Sequence, residues 1–230
     1  MLLKGFKFAV LTILVAFFAA IAIAPVLAKE TQVLSPVRDN TLIESVAGNL
    51  SNGRGEVFFV GRTNQPENSL RRGAIAFDLT EIPVNAEISA VTLTLMVERS
   101  PGGDFPIELH RILKNWGEGE SYHRGGRGDR SSEGDVTWIH RFYNREMWSN
   151  LGGDFASRVS AVQTVGDIGV YTWESPTMLI DVQQWIDSPE ENFGWLLLGD
   201  ETTARSVKGF ASRETQNFLA IPQLSVTYRQ

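Results

Sequence analysis

The stretch Val91-Thr92-Leu93-Thr94-Leu95-Met96-Val97-Glu98 has an apolar residue at every second position. Successive side chains of a β-strand point to opposite sides, so the odd-numbered residues of this stretch share one face. The other face carries threonine, Met96 and Glu98. The stretch therefore predicts a β-strand in a sheet that buries one of its two faces.

Similar alternation occurs on both sides of this stretch. Upstream, Ile75, Phe77 and Leu79 share one face, and downstream residues 107–110 and 224–228 repeat the pattern. These short runs are separated by Gly, Asn, Asp and Pro, which favour turns. Together they predict an all-β fold, a β-sandwich of the jelly-roll type.

Two other runs, Val57–Val60 and Trp195–Leu198, are apolar at every position. Strands that are covered on both faces show this pattern, so we expect central strands of a layered sandwich. Residues 207–212 are expected to pair with the second run through the polar turn 200–206.

One segment has helical spacing. Asp181 is a good N-cap residue, and apolar residues follow it at i, i+3 and i+4 spacing from Val182 to Ile186. A proline at position 189 ends the pattern. The sequence therefore predicts one short helix over residues 181–187.

The first residues of the chain differ from the rest. Two lysines precede an apolar run of 17 residues from Phe8 to Ala24, and Pro25 and small residues up to Ala28 follow. This order predicts a signal peptide over residues 1–28. Because about 17–25 apolar residues cross a bilayer, an uncleaved membrane anchor is the alternative. Residues 29–36 show little pattern and are interpreted as a lead-in.

The domain predicted over residues 37–230 must fold without disulfides, because the chain contains no cysteine. Loss of the two lysines in residues 1–28 would change the formal charge from -6 to -8. Such a domain repels phosphate backbones, so nucleic acid is not an expected partner. We expect a secreted or cell-surface protein that contacts a membrane only if the signal stays uncleaved.

The segment 115–135 is rich in glycine and charged residues and predicts a long loop. Loops of this length in compact domains are usually functional or disordered. Aromatic residues are concentrated in and just after this loop, and sugar rings stack on exposed aromatic faces. The alternative is that these rings pack as core at the ends of the sandwich. Arginines of the loop can pair with uronate carboxylates. The predicted ligand-binding residues are Trp116, Tyr122, Arg124, Arg127 and Trp148.

Metal and base chemistry have fewer candidates. Asp39 and Asp154 lie in turn-like sequence, and their oxygens would suit a structural Ca²⁺ ion. The alternative is that they only form the turns. The three histidines are interpreted as surface or packing residues, so no catalytic residue is predicted and no cofactor is required.

Several short motifs follow one another in a particular order along the chain. They include Asp39-Asn40-Thr41-Leu42-Ile43, Arg72-Gly73-Ala74-Ile75-Ala76-Phe77-Asp78-Leu79, Ile82-Pro83-Val84-Asn85-Ala86-Glu87-Ile88, Trp116-Gly117-Glu118-Gly119, Asp181-Val182-Gln183-Gln184-Trp185 and Phe210-Ala211-Ser212-Arg213-Glu214. This order resembles the DNRLRE domain family, also classed as an alginate-type carbohydrate-binding module. The resemblance implies a jelly-roll sandwich and an extracellular role associated with polysaccharide. Four residues of these motifs are expected to form ion pairs and not to contact ligand: Arg72, Asp78, Arg213 and Glu214.

Three functions are compatible with these observations. The first is a secreted, non-catalytic domain that binds an extracellular or cell-surface polysaccharide. The alternative is a structural surface or matrix protein with protein partners. The third is a polysaccharide lyase or hydrolase, for which His123 beside Tyr122 and Arg124 is the local candidate for a base.

Overall fold

The computed structural model describes residues 28–230, so the predicted signal peptide lies outside the described residues except for Ala28. This part of the chain is all-β with one α-helix, α1 (Pro176–Asp187), and a 3-10 turn at Pro189–Glu191. None of the helices within residues 28–230 is long and apolar enough to cross a membrane. The strands are β1 (Lys29–Leu34), β2 (Pro36–Ile43), β3 (Leu50–Ser51), β4 (Val57–Arg62), β5 (Leu70–Phe77), β6 (Glu87–Arg99), β7 (Phe105–Ile112), β8 (Asp129–Arg130), β9 (His140–Phe142), β10 (Glu146–Met147), β11 (Phe155–Val165), β12 (Gly169–Glu174), β13 (Trp195–Leu198), β14 (Lys208–Ala211) and β15 (Gln223–Arg229).

The strands form a large curled antiparallel sheet with two layers, as the predicted all-β sandwich requires. One layer contains β1, β15, β6, β12 and β14, and the other contains β2, β5, β13, β7 and β11. Strand β4 connects them, because Val57–Val60 pair with β14 while Gly61 and Arg62 pair with β5. Gly61 has a φ of 110°, which favours glycine at this junction. The jelly-roll topology stays a prediction.

The main core lies between the two layers. Leu93, Leu95 and Val97 of β6 are fully buried in it, which confirms the alternation of the stretch 91–98. Ile75 and Trp195 enter the same core from the second layer. Each buried side chain of this size contributes about 1.5–3 kcal/mol to folding, so the core can hold the domain together without disulfides.

A second apolar cluster covers the outer face of the second layer. Ala74, Ala76 and Leu196 point away from the main core, and the segment between β7 and β11 folds over them. Three tryptophans of that segment, at positions 116, 138 and 148, pack there. The two apolar cores explain why Trp195–Leu198 is apolar at every position.

The helix begins earlier than predicted. Ser175 is its N-cap, with a hydroxyl that accepts a hydrogen bond from the Met178 N–H, and Pro176 occupies the first helical position. Asp181, predicted as the N-cap, is instead a buried mid-helix residue that accepts a hydrogen bond from the Trp195 indole N–H at 3.1 Å. The predicted start of the helix was wrong because Met178, three residues before Asp181, already belongs to the buried apolar face of the helix.

Two pairings differ from the expectations. Strand β14 does not pair with β13 but with β4 and β6, so residues 200–206 cross from one layer to the other. Residues 29–34, interpreted as an unpatterned lead-in, form strand β1 and pair with β15 along their full length. Most side chains of β1 are exposed, which explains why the sequence shows no alternation there.

Candidate functional site

A wide cleft at the surface is the candidate site. It has a volume of about 520 Å³, and we call it the Tyr122 cleft. Tyr122 is 48% exposed, and polar or charged side chains surround it. Three separate segments of the chain supply its walls: the turn before β4, the long loop after β7 and the loop after β14. The lining residues are Arg54, Glu56, Glu120, Tyr122, Glu214 and Gln216.

Hydrogen bonds fix the long loop against the turn before β4. The Arg54 N–H donates to the carbonyl oxygen of Ser121 at 2.8 Å. On the other side of Tyr122, the His123 N–H donates to Asn52 Oδ1 at 2.6 Å. The backbone on both sides of Tyr122 is therefore tied to one turn, and the Tyr122 ring lies at the wall of the cleft.

Close backbone packing adds to this fixation. Gly119 has a φ of 86°, and a Cβ atom there would lie 1.4 Å from Asp135 Oδ1. A Cβ atom at Gly53 would lie 2.2 Å from the carbonyl oxygen of Glu118. Only glycine fits at these two positions without a shift of the loop, so the glycine content of the loop serves close packing.

Acidic side chains and one arginine form the floor beside the cleft. Nη1 of Arg213 lies 2.9 Å from Glu118 Oε2 and 3.1 Å from Glu214 Oε1, so two carboxylates share one guanidinium nitrogen. Asp39 is fully buried next to them and accepts a hydrogen bond from the Arg213 N–H at 2.7 Å. Its own N–H donates to Glu118 Oε1 at 2.9 Å. Three carboxylates therefore face two arginines, because the charge of Arg38 also acts on Glu118.

This imbalance changes the acidity of the group. Burial, followed by the charge of Glu118, raises the pKa of Glu214 to about 7. Burial and the charge of Glu214 raise the pKa of Asp39 well above its ordinary value. Burial also raises the pKa of Glu118, although hydrogen bonds and Arg213 oppose it. Glu214 Oε2 is buried without a hydrogen-bond partner, so protonation there removes an uncompensated charge.

Two of the predicted ligand residues are buried. Trp116 is fully covered, with Arg38 stacked on its ring at 4.4 Å and its Nε1–H donating to the Phe193 carbonyl oxygen at 2.9 Å. Trp148 packs in the second core and donates to the Thr137 carbonyl oxygen at 3.1 Å. Neither ring offers a free face, so these two rings serve packing, which was the alternative interpretation.

The other three predicted ligand residues are exposed but do not form one surface. Tyr122 lines the cleft. Arg127 lines a separate pocket next to Arg71, whose Nε donates to the Gly126 carbonyl oxygen. Arg124 is exposed between them and does not line the cleft. The structure therefore brings only Tyr122 to the candidate site.

The two predicted metal ligands lie in different environments. Asp39 belongs to the acidic floor, and Asp154 closes a turn by accepting from the N–H groups of Ser149 and Asn150 at 2.8 and 2.9 Å. Burial would raise the pKa of Asp154, but these hydrogen bonds outweigh it and lower the pKa. Within residues 28–230, no group of three or more acidic or histidine side chains is arranged to hold a metal ion.

Sequence reasoning missed most of the cleft. The sequence predicts an ion pair for Glu214 and no contact with ligand. Glu214 does pair with Arg213, but it also lines the cleft. Arg72 pairs with Glu201 at 2.7 Å, as predicted. The prediction of an ion pair for Asp78 was wrong, since within residues 28–230 its carboxylate accepts a hydrogen bond from the Thr80 N–H and pairs with no cation. The segments that carry Arg54, Glu120 and Glu214 lie far apart in sequence, and no spacing rule connects them.

A scan against protein-family models finds no match for this chain. A search of curated proteins finds no match either. The resemblance to the DNRLRE domain family therefore stays a prediction, and the functional proposal depends on the cleft itself.

Proposed function

We propose that this protein is exported and that its domain binds a polysaccharide in the Tyr122 cleft without cleaving it. The observation that carries the proposal is an exposed tyrosine ring in an open cleft lined by hydrogen-bonding side chains. Sugar rings stack on such faces, and a glycan chain needs an open groove because it continues beyond the site. Carboxylate, guanidinium and amide groups around the ring can bond to sugar hydroxyls.

The charge of the cleft indicates which polymers are compatible with it. Glu56, Glu120 and Glu214 face one arginine, Arg54, which is already paired with Glu120 at 2.7 Å. Uronate polymers would meet like charge here, which is destabilising. We therefore propose a neutral or amino-sugar polymer, whose hydroxyl or ammonium groups can donate hydrogen bonds to the carboxylates. This differs from the expectation that loop arginines bind uronates, because Arg124 and Arg127 do not line the cleft.

Affinity electrophoresis tests this proposal, with the protein purified as the host exports it. Gels containing a neutral glucan, chitosan or alginate should retard the protein in one of the first two and not in alginate. Tyr122→Ala should weaken the binding about tenfold, the effect of one aromatic anchor. Phe218→Ala is the matched control, because Phe218 is 79% exposed and does not line the cleft. Equal loss in both variants, or no retardation of folded protein, contradicts the proposal.

A glycoside hydrolase is the second candidate, and Glu214 is the reason. A general acid works best with a pKa near the working pH, and the pKa of Glu214 is raised to about 7 in a cleft that also contains Glu120. Release of reducing ends from a bound polymer, lost in Glu214→Gln, would establish this function. Binding without release supports the non-catalytic proposal. His123 is a weaker base candidate, because its Nδ1 accepts from the Gly125 N–H at 2.9 Å.

A further inference from the structure

The carboxylates of the Tyr122 cleft are not matched by cations. Glu56 is exposed at the wall of the cleft, and within residues 28–230 its carboxylate forms no ion pair and no hydrogen bond. Burial raises the pKa of the neighbouring Glu98, and the charge of Glu56 acts in the same direction although Arg99 opposes it. The cleft therefore presents Glu56 as an open acceptor for a positively charged group.

Arg54 is the one cationic side chain among the lining residues of this cleft in the described chain. Its Nη1 pairs with Glu120 Oε2 at 2.7 Å, but the two side chains are 53% and 75% exposed. Ion pairs between exposed side chains contribute little, because water already solvates both charges. Arg213 does not line the cleft and is shared between Glu118 and Glu214. An ammonium group that enters the cleft can therefore replace Arg54 at Glu120 with little loss.

The Tyr122 ring adds a second type of contact. An aromatic face attracts a nearby cation electrostatically, and the same face stacks on the C–H surface of a sugar ring. The ring is 48% exposed and lines the same cleft as Glu56 and Glu120. Glu214 contributes less to the charge, because its pKa is raised to about 7, chiefly by burial, and it is partly protonated near neutral pH. The preference for a cation therefore depends on Glu56, Glu120 and Tyr122.

We propose that the Tyr122 cleft selects a polymer of amino sugars with free ammonium groups over its neutral and N-acetylated counterparts. This inference rests on the proposed function, because it specifies the polysaccharide that the same cleft binds. An ammonium group has three N–H donors, and hydrogen bonds from it to a carboxylate are stronger than those from a neutral hydroxyl. Glu56 and Glu120 would accept these bonds while the Tyr122 ring stacks on the sugar. An acetamide or hydroxyl group in the same place leaves Glu56 without a cation.

Two soluble probes of equal length and linkage test this selectivity: the β-1,4-linked hexamer of glucosamine and its fully N-acetylated form. They differ only in the acetyl groups, which remove the positive charges. Isothermal titration calorimetry at pH 6.5, with the protein purified as the host exports it, should give an affinity about tenfold higher for the glucosamine hexamer. Equal affinities, or tighter binding of the acetylated hexamer, would overturn the inference.

Variants of the cleft identify the residues that recognise the charge. Glu56→Gln and Glu120→Gln should each weaken binding of the glucosamine hexamer about tenfold and change that of the acetylated hexamer much less. Arg54→Gln should tighten binding of the glucosamine hexamer, because it frees Glu120 and removes the competing cation. If the Arg54–Glu120 pair only supported the wall of the cleft, Arg54→Gln would weaken binding of both hexamers, which would contradict the inference.

Glu174→Gln is the control for unspecific attraction between a polycation and an acidic domain. Glu174 is exposed on β12 and does not line the cleft, and its substitution removes the same charge from the chain. If it weakens binding as much as Glu56→Gln does, the attraction is unspecific and the inference is wrong. If neutral cellohexaose binds as tightly as the glucosamine hexamer and Tyr122→Ala weakens both, the inference is wrong while the proposed function stands. If the folded protein binds no saccharide, both are wrong.

Discussion

Replacement of Glu214 by glutamine should change how the stability of this protein depends on pH. In the folded protein the pKa of Glu214 is raised from its ordinary value of 4.5 to about 7, chiefly by burial and then by Glu118. The folded state thus binds the proton more tightly than the unfolded chain. The stability that the protonated Glu214 carboxyl group contributes is complete below pH 4.5 and is lost as the pH rises through about 7.

The size of this effect follows from the structure. One pH unit of pKa corresponds to about 1.4 kcal/mol, so the full difference amounts to about 3 kcal/mol. The Glu214 side chain is still 15% exposed, and screening reduces this to about 2 kcal/mol. Asp39 and Glu118 have pKa values that are raised in the same direction, so the three carboxyl groups titrate as a coupled set. Glu214→Gln should therefore weaken the pH dependence by about 2 kcal/mol without abolishing it.

Urea unfolding between pH 4.5 and 8 provides the measurement. The wild-type protein should become less stable as the pH rises through this interval, and Glu214→Gln should show a clearly flatter curve. The slope of the free energy of unfolding against pH is more informative than its value at one pH. The reason is that the glutamine places an amide N–H₂ where Glu214 has an oxygen without a partner, which shifts the stability at every pH. Glu120→Gln is the control, since its side chain is 75% exposed in the same cleft. Parallel curves for wild type and Glu214→Gln would refute the assignment of a raised pKa to this carboxyl.

Three further substitutions test contacts that hold the fold and the long loop. Lys208→Met should lower the free energy of unfolding by about 2–4 kcal/mol in urea titrations, because the buried Nζ donates to three backbone carbonyl oxygens between neighbouring strands. Gly119→Ala should abolish polysaccharide binding and lower the melting temperature, since its Cβ would lie 1.4 Å from Asp135 Oδ1; unchanged binding would contradict the fixed loop. Arg71→Lys should speed tryptic cleavage of the long loop, because the hydrogen bond from Nε to the Gly126 carbonyl oxygen is lost; an unaltered cleavage rate would show that other contacts hold the loop.

The sequence predicted the elements whose side chains are buried on one or both faces, and it missed those that depend on distant partners. The alternation over 91–98 and the apolar runs led directly to strands β6, β4 and β13. Strand β1 escaped because its side chains are mostly exposed and only its backbone pairs with β15. Local periodicity reports burial of side chains, and it carries no information on strand pairing between positions 29 and 229.

The candidate site was predicted only in part for a similar reason. Tyr122 could be named because an aromatic residue in a polar, glycine-rich loop is unusual. Glu214 and Arg54 reach the same cleft from segments far from that loop. Their own sequence context predicted an ion pair for Glu214, which is correct, but it could not reveal which cleft the pair borders.

The buried tryptophans in and after the long loop serve packing and not ligand binding. The aromatic content of the loop pointed to a binding surface, yet Trp116, Trp138 and Trp148 form a second core on the outer face of the sandwich. That outer face is built for them, since β5 presents Ala74 and Ala76 there while Ile75 faces the main core. Small residues under large rings leave room for the loop to lie close to the sheet. The rings therefore anchor the segment between β7 and β11 to the sheet, and Tyr122 lies exposed within that segment. Binding of a ligand to Tyr122 would then cost little backbone entropy in the protein, because hydrogen bonds already tie the backbone on both sides of this residue to the turn before β4.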